Sequence, residues 1–439
     1  MQEYKKHLLS IFYTSIRALD HALKTQWLWI SNILLLLTVN VLIKPIWIFG
    51  IDRQVQNNVG TAQYGIYFAT FNFTVLLYIL LDMGISSYNA RRIARQPDLL
   101  DHSWGSILGI KTSLSLVYIG ACVLGAWWLQ YDTLQQQLLI YLGANQILIG
   151  YIAYFRSNLQ GLHQFRTDTF LSVLDRLLAI VFCGALLYGS LGEHLRIIEY
   201  AQYQTLSYTL SAILAFYLVQ RQLKKPNYRF DAQLLRSIVR QTLPFALMVL
   251  LMSIYTRIDA ILLSALLPDG DLQSGVYASA YRLLDALNMI GSLAATQLLP
   301  IFTRRHQQTT QLHRLFGVCI AAAFIGSTII AVVCWIERQS IMSYLYHAAS
   351  PYYADVFGGL MWSFIPISLI YVVGTLWTAI GNMRLINWVV GFGVVVNVAL
   401  NLILIPPYKA LGAAWASVGA QSFIAIAFIS AYCLRKTKI

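Results

Sequence analysis

Long apolar runs separated by short polar loops dominate the hydrophobic pattern of the chain. Each run is long enough to cross a bilayer core of about 30 Å, which takes roughly 20 helical residues. The pattern therefore predicts an all-α polytopic membrane protein with twelve transmembrane helices. Their predicted bounds are 27–49, 64–87, 104–129, 138–155, 169–190, 200–220, 243–267, 275–302, 315–336, 356–380, 385–405 and 410–434.

Charge alternates between successive loops. Lys and Arg collect in every second loop, as at Arg91-Arg92 and Arg304-Arg305. The intervening loops carry mainly acids, and these include Asp52, Asp132, Glu193, Asp269 and Asp355. Because basic loops stay in the cytosol, we predict a bacterial inner-membrane protein with both termini cytosolic. The net charge of +13 is then mainly topogenic and attracts anionic lipid headgroups, so we predict no nucleic-acid partner.

Composition supports the same class of protein. Hydrophobic residues make up 58% and charged residues 11% of the chain, against about 25% charged in soluble domains. Met1 to Gln26 is too polar for the apolar part of a cleavable signal. Five cysteines lie in or beside apolar segments without paired spacing, so we predict no disulfide, metal site or cofactor.

Landmarks recur along the chain and predict two lobes, an N-lobe of residues 1–220 and a C-lobe of residues 221–439. An offset of 213 residues relates Lys44 to Arg257 and Arg91-Arg92 to Arg304-Arg305. Each lobe would open with an interfacial amphipathic helix followed by six membrane helices. The two apolar stripes are Leu8, Phe12, Leu19 and Leu23, and Leu234, Leu235, Ile238 and Val239. An even number of helices per lobe predicts a pseudo-two-fold axis along the membrane normal, a transporter design with its site between the halves.

Charged residues inside the predicted helices are functional candidates, because a charge in hydrocarbon is costly unless it is paired or hydrated. The cations are Lys44, Lys111, Arg176, Arg257 and Arg282, and the anions are Asp82, Asp175, Asp259 and Asp285. A cavity between the lobes is predicted to collect them. Lys111 and Asp175-Arg176 are close to the cytosolic ends of their segments, where we expect structural ion pairs or side chains that reach water. Asp82 suits either a local cap or a functional role.

Arg257 is the strongest of these candidates. Asp259 is two residues away and faces another direction on a helix, so it does not simply neutralise Arg257. Arg282 and Asp285 are spaced for a local pair at i and i+3. A surplus cation in a hydrated cavity suits an anionic substrate, and Arg matches phosphate oxygens with two parallel hydrogen bonds.

Catalytic motifs are missing from the sequence. It contains neither a G-x-x-x-x-G-K-[ST] loop nor H-E-x-x-H, which disfavours ATP hydrolysis and zinc-protease chemistry. Asp269-Gly270-Asp271 is predicted to be a turn between two helices. We therefore predict a protein that is not an enzyme.

Three groups of motifs resemble one family over nearly the whole chain. They are Tyr64-Gly65-Ile66-Tyr67 with Leu81-Asp82-Met83-Gly84-Ile85; Pro244, Arg257-Ile258-Asp259, Gly275-Val276-Tyr277-Ala278, Tyr281-Arg282 and Pro300; and Asn397, Asn401, Ile405-Pro406 and Leu411-Gly412-Ala413-Ala414. In order and spacing they resemble the polysaccharide flippase branch of the multidrug/oligosaccharidyl-lipid/polysaccharide exporter superfamily. The lipid II branch of that superfamily typically has two additional helices.

The resemblance implies a flippase for undecaprenyl-pyrophosphate-linked oligosaccharide, working by alternating access through a cationic cavity. It implies that Arg257, Arg282 and Lys44 bind the substrate. It also implies ion-coupling or gating roles for Asp82, Asp259 and Asp285. The implied partners are the lipid-linked oligosaccharide, membrane lipids and the polysaccharide polymerase machinery.

Two other functions compete with this one. A multidrug or toxin exporter would share the fold, but it usually needs an acidic cavity for cationic drugs. A membrane polysaccharide polymerase or ligase would need catalytic groups in a long external loop, and the loop around 337–355 has no convincing acid–base set.

Overall fold

In the computed structural model, the described residues are 43, 45–189, 195–227, 232–305 and 309–436, and they contain helices but no strand. Lys44, the N-terminal amphipathic stripe and most of the first predicted segment lie outside them. A π-helical segment, Ile46–Asp52, leads into the first α-helix. The α-helices are α1 Arg53–Val59, α2 Thr61–Leu77, α3 Ile79–Asp82, α4 Ile85–Arg95, α5 Leu99–Trp128, α6 Thr133–Gly161, α7 Phe165–Tyr188, α8 Ile197–Gln220, α9 Ala232–Leu266, α10 Gly270–Arg305, α11 Thr309–Ile336, α12 Arg338–Leu345, α13 Pro351–Met361, α14 Phe364–Ile380 and α15 Met383–Lys436.

The helices confirm a multi-pass all-α membrane protein. Within the described ranges, nine continuous or nearly continuous helices are long and apolar enough to cross a membrane. The last of them contains both predicted segments eleven and twelve, which meet at a kink where Lys409 has φ 54°. Predicted segment six corresponds to α8, a 24-residue helix outside those nine. The total of twelve stays a prediction, because the first segment is mostly not described.

The second membrane helix is broken into α2, α3 and α4. Met83 (φ 45°) and Gly84 (φ 82°) both adopt the left-handed conformation, which cannot continue a right-handed helix. Gly84 tolerates this conformation because it has no Cβ. The break frees the Leu81 carbonyl from its usual helical partner and places Asp82 beside it.

The two predicted lobes meet along α2, which packs against α9 and α10. We call the end that the charge pattern places outside the cell the outer end. Here Gln56 Nε2 donates to the Gly275 carbonyl (3.0 Å), Asn57 Nδ2 to the Leu345 carbonyl (3.1 Å), and Tyr353 Oη to Thr61 Oγ1 (2.9 Å). Each of these bonds joins the N-lobe to the C-lobe, so the outer end is closed in this structure.

The kink in α15 is tied to the same end. Lys409 Nζ donates to Asp269 Oδ2 (2.8 Å), and Gln273 Nε2 donates to the same oxygen (2.9 Å). The hydrogen bond from Lys409, followed by that from Gln273, holds the pKa of Asp269 below its usual range. The turn predicted at Asp269-Gly270-Asp271 therefore joins α9 to α10 and anchors the loop that links the two halves of α15.

The amphipathic stretch that opens the C-lobe forms the first turns of α9, continuous with the membrane helix, rather than a separate element. Ile238 is fully buried and belongs to an N-lobe cluster that includes Ile93 and Leu100. At Ile238, the apolar face of the amphipathic stretch therefore packs against the N-lobe.

We expect the 193–199 and 269–273 loops to be external. In a background without the native cysteines, Glu193→Cys and Leu272→Cys should react with a membrane-impermeant maleimide added to intact cells. Lys225→Cys, in a predicted cytosolic loop, should react only after permeabilisation. Labelling of the first two variants solely from the cytosolic side would contradict the topology.

Candidate functional site

A cavity of about 420 Å³ lies between the predicted lobes. Its N-lobe lining comes from the π-helical segment, α2, α7 and α8, and its C-lobe lining from α9, α10 and α14. The lining residues are Trp47, Ile48, Asp52, Tyr67, Phe71, Arg176, Gln204, Tyr208, Arg257, Arg282, Asp285, Asn288, Met289, Ser292 and Tyr371. We call it the central cavity. Its charged lining is three arginines and two aspartates, which leaves a surplus of positive charge.

Arg282 forms a salt bridge with Asp52 across the two lobes. Asp52 is almost fully buried and also accepts hydrogen bonds from Tyr64 Oη and Tyr200 Oη, each 2.9 Å. The external-loop position predicted for Asp52 is wrong, because Asp52 is buried at the end of a helical segment. The helix of the first segment continues through Ile46–Asp52, so it carries this carboxylate inward of the true loop. The expected local pair with Asp285 is accordingly replaced by a pair with Asp52.

Arg257 has a different environment. Its Nη1 donates to Asn72 Oδ1 of the N-lobe (3.1 Å), and its guanidinium lies 5.9 Å from the ring centre of Tyr281. Among the described residues no carboxylate forms a salt bridge with Arg257. Its charge is therefore held in place by neutral groups and stays available to an anion.

Arg176 is the third arginine of the central cavity. The sequence predicts for it a structural role near the cytosolic end of its helix. Its helix begins at Phe165 rather than 169, so Arg176 is 11 residues from the start. At 1.5 Å per residue this is about 16 Å along the helix axis, about half the thickness of a bilayer core. The earlier helix start therefore moves Arg176 deeper into its helix than the predicted bounds imply. Three guanidinium groups thus line one cavity, and guanidinium groups pair well with anionic oxygens.

Lys111 and Asp82 lie together inside the N-lobe and do not line the central cavity. Lys111 is 2% exposed, and its Nζ donates to Asp82 Oδ1 (2.5 Å), the Leu81 carbonyl (3.0 Å) and the Gly150 carbonyl (3.2 Å). Of the two structural roles expected for Lys111, a side chain that reaches water is wrong, and an ion pair is what the structure shows. The break in the second helix offers it oxygens that a continuous helix would not. Asp82 Oδ1 also accepts from Ser86 Oγ (2.5 Å) and from the Ser86 N–H (3.4 Å), so it has a local partner as well as Lys111.

We expect Lys111→Met to lower the amount of folded protein in the membrane. Removing one member of a buried pair costs about 3–5 kcal/mol, because the other charge is left unpaired. Membrane abundance and thermal stability would measure the loss, and adding Asp82→Asn should restore part of it. Normal stability of the single variant would mean that water reaches Asp82.

Asp259 lies inside the C-lobe and is 2% exposed. Four side chains donate to it: Tyr277 Oη (2.8 Å), Asn401 Nδ2 (2.7 Å), Asn397 Nδ2 (3.2 Å) and Ser417 Oγ. These donors come from α10 and from both halves of α15. In the sequence, Asn397 and Asn401 stand out only as part of a family motif. The packing of α9 against α15 brings their side chains to the Asp259 carboxylate.

The structure thus brings together Arg257, Arg282 and Asp285 of the predicted site in the central cavity. It separates Asp82 and Asp259 into the interiors of the N-lobe and the C-lobe, so the prediction that one cavity collects every buried charge is wrong. Asp82 forms its hydrogen bonds with groups of the N-lobe, and Asp259 forms its hydrogen bonds with groups of the C-lobe. Lys44 lies outside the described residues.

Sequence comparison identifies the family. The family model described as polysaccharide biosynthesis protein matches residues 30–306, and the chain belongs to this family. An uncharacterized membrane protein of Methanocaldococcus jannaschii is 24% identical over 382 residues, covering 82% of this chain and 87% of that protein.

Two solved structures share the fold. The lipid II flippase MurJ in an inward closed conformation matches with a TM-score of 0.73 and 13% identity, covering 91% of this chain and 87% of that one. An inward-facing multidrug resistance MATE family transporter of the MOP superfamily matches with a TM-score of 0.70 and 17% identity, covering 92% and 99%. At these identities the likeness establishes the fold alone. Together with the family, it supports a transporter or flippase, as the resemblance implied.

Proposed function

We propose that this protein is a flippase that moves an undecaprenyl-pyrophosphate-linked oligosaccharide from the cytosolic to the outer leaflet of the inner membrane. The observation that carries the proposal is the cluster of Arg176, Arg257 and Arg282 in a cavity between the lobes, in a member of a polysaccharide biosynthesis family. A pyrophosphate cannot cross hydrocarbon unaided, because unpaired charge there is very costly. A hydrated cationic cavity lowers that barrier, while the polyprenyl tail stays in lipid between helices.

In this proposal the substrate pyrophosphate binds Arg257 first, because that guanidinium has no carboxylate partner among the described residues. Arg282 is shared with Asp52 and joins the two lobes. A phosphate that competes for Arg282 would weaken this link and favour opening of the outer end. Substrate binding and alternating access would then be coupled through one residue, since a ligand shifts an equilibrium by its differential affinity for the two states.

Ion coupling is a further part of the proposal. Asp259 is a buried carboxylate with four donors, and Asp285 is an exposed one in the central cavity. Protonation or cation binding at either would change the charge that faces the substrate. Asp82 has Lys111 as its fixed partner, which suits gating through the helix break better than release of an ion.

The fold is also that of a multidrug exporter, but the central cavity favours anions. Three arginines against two aspartates, one of which is already paired with Arg282, would repel a cationic drug. The acidic cavity that such an exporter usually needs is not formed by these residues.

The test is reconstitution of the full chain in proteoliposomes that contain a short-chain lipid-linked oligosaccharide with a fluorescent sugar. A membrane-impermeant reagent that destroys the fluorophore should remove about half of the signal without the protein and nearly all of it with the protein. Cationic dye transport in the same vesicles should stay at background. Dye transport without movement of the glycan lipid would favour the exporter instead.

A further inference from the structure

A second cavity lies wholly within the C-lobe, between α9, α10, α14 and the two halves of α15. Its volume is about 290 Å³, near the lower limit of typical small-molecule pockets. We call it the C-lobe pocket. Three tyrosines line it, Tyr255, Tyr281 and Tyr371, together with aliphatic residues such as Ile367 and Ile370.

The threonine hydroxyl groups of the pocket already donate to the backbone. Thr256, Thr375 and Thr378 donate to the carbonyls of Met252, Tyr371 and Gly374, at 2.8, 2.6 and 2.8 Å. Ser417 is likewise engaged, since its hydroxyl donates to Asp259. The hydrogen atoms of these four hydroxyl groups are therefore not available to a ligand.

Two amide groups break this apolar lining. Gln421 is 6% exposed, and its Oε1 is buried with no hydrogen-bond partner among the described residues. Asn288 Oδ1 is also buried and has no hydrogen-bond partner among the described residues. A buried acceptor without a partner costs about 1–3 kcal/mol, so both oxygens favour a ligand that donates hydrogen bonds. A purely apolar ligand would leave that cost in place.

The C-lobe pocket adjoins the central cavity. Asn288 and Tyr371 line both spaces. Tyr281 also lies against the Arg257 guanidinium, the proposed phosphate ligand. A group attached directly to a phosphate at Arg257 could therefore enter the pocket past Asn288.

We propose that the C-lobe pocket is a subsite for the sugar ring joined to the pyrophosphate. This proposal rests on the proposed function. A pyranose has apolar C–H faces that pack on tyrosine rings, and hydroxyl groups that donate to Asn288 Oδ1 and Gln421 Oε1. The few fixed acceptors among apolar walls are the arrangement that gives a small-molecule site its orientation and specificity.

Binding of soluble probes to the detergent-purified full chain tests the subsite. The probes are inorganic phosphate, a panel of hexose 1-phosphates that includes N-acetylglucosamine 1-phosphate, and geranyl phosphate as an apolar competitor. At least one hexose 1-phosphate should bind about thirtyfold more tightly than inorganic phosphate, since each of the two hydrogen bonds gained contributes about fivefold in affinity. Geranyl phosphate should gain less.

Two variants isolate the pocket. Gln421→Leu removes an acceptor at nearly constant size. Gly374→Leu fills the space, because a Cβ at Gly374 meets no atom within 4 Å. Both should abolish the advantage of the hexose 1-phosphate and leave the affinity for inorganic phosphate unchanged. Gly317→Leu is the matched control: its Cβ also meets open space, but it does not line the pocket, and it should bind every probe like the parent.

The outcomes separate this proposal from the one on which it rests. If inorganic phosphate binds and Arg257→Ala removes that binding, but no hexose 1-phosphate binds more tightly, the subsite is overturned and the flippase proposal stands. A greater gain for geranyl phosphate would assign the pocket to the polyprenyl tail instead. If inorganic phosphate does not bind or binds Arg257→Ala equally well, the phosphate role of Arg257 fails, and both proposals fail with it.

Discussion

Arg257→Ala is expected to abolish glycan export while the protein remains in the membrane at its normal abundance. Within the described ranges, the Arg257 guanidinium contacts Asn72 and the Tyr281 ring and forms no salt bridge, so we expect its removal to leave no carboxylate unpaired. Arg257→Lys should restore export in part, because Lys keeps the charge but lacks the planar fork that binds two phosphate oxygens. Export and membrane abundance, measured in the same cells, test this expectation.

Arg282→Ala is the matched comparison. It also removes a cavity arginine, but it strands Asp52, which is buried beside Tyr64 and Tyr200. We expect Arg282→Ala to lose export and to lower the abundance of the protein in the membrane. The double variant Arg282→Ala, Asp52→Asn should recover the abundance without recovering export. Breaking a buried pair costs about 3–5 kcal/mol, enough to lower the level of a marginally stable protein.

Full export by Arg257→Ala at normal abundance would remove Arg257 from the site. A loss of abundance that Asp285→Asn relieves would instead identify a structural ion pair. The contrast between the two arginines matters for this reason: both line the cavity, but in the part of the chain that the structure describes only Arg282 has a carboxylate partner.

The membrane class could be predicted from the sequence for a simple physical reason, which also selects the candidate arginines. Charge in hydrocarbon is rare enough that Arg257 and Arg282 stand out within apolar runs. The break after Asp82 could not be predicted with the same ease, because Met83 adopts a left-handed conformation that a non-glycine residue seldom takes. The sequence therefore predicts a structural role for Lys111 but does not identify Asp82, beside this break, as its partner.

Long-range packing decided the rest of the site. Asp52 is 230 residues from its partner Arg282, and its burial depends on how far the first helix extends beyond its apolar run. The donors to Asp259 come from residues 277, 397, 401 and 417. No local pattern relates such positions.

Gly65 and Gly275 meet each other reciprocally at the outer end. A Cβ added at Gly65 would overlap the carbonyl oxygen of Asp271, and one added at Gly275 would overlap that of Thr61. Thr61 and Asp271 are each four residues before their glycine. A two-fold axis between α2 and α10 produces this kind of exchange, in which residue i contacts j and the equivalent of j contacts the equivalent of i. Two helix backbones can approach this closely only where both lack a side chain.

We therefore expect Gly65→Ala to prevent full closure of the outer end and to reduce export strongly. Overpacking of this kind costs about 1–3 kcal/mol, which would shift the balance between closed and open outer ends by roughly 5- to 150-fold. A cysteine at Ser292, in the central cavity, should then react faster with a membrane-impermeant maleimide added from outside. Gly275→Ala should have the same effect, because it opens the other half of the same contact.

Gly120→Ala is the control for this pair of variants. It is the same change within a membrane helix, but a Cβ there meets no atom within 4 Å, so export and labelling should match the parent. If Gly65→Ala instead lowers abundance and leaves the external reactivity of the Ser292→Cys site unchanged, the glycine contact is a fixed part of the fold. Faster external labelling at normal abundance would identify it as the surface along which the two lobes separate, since only a contact that opens during transport can be weakened without loss of the folded protein.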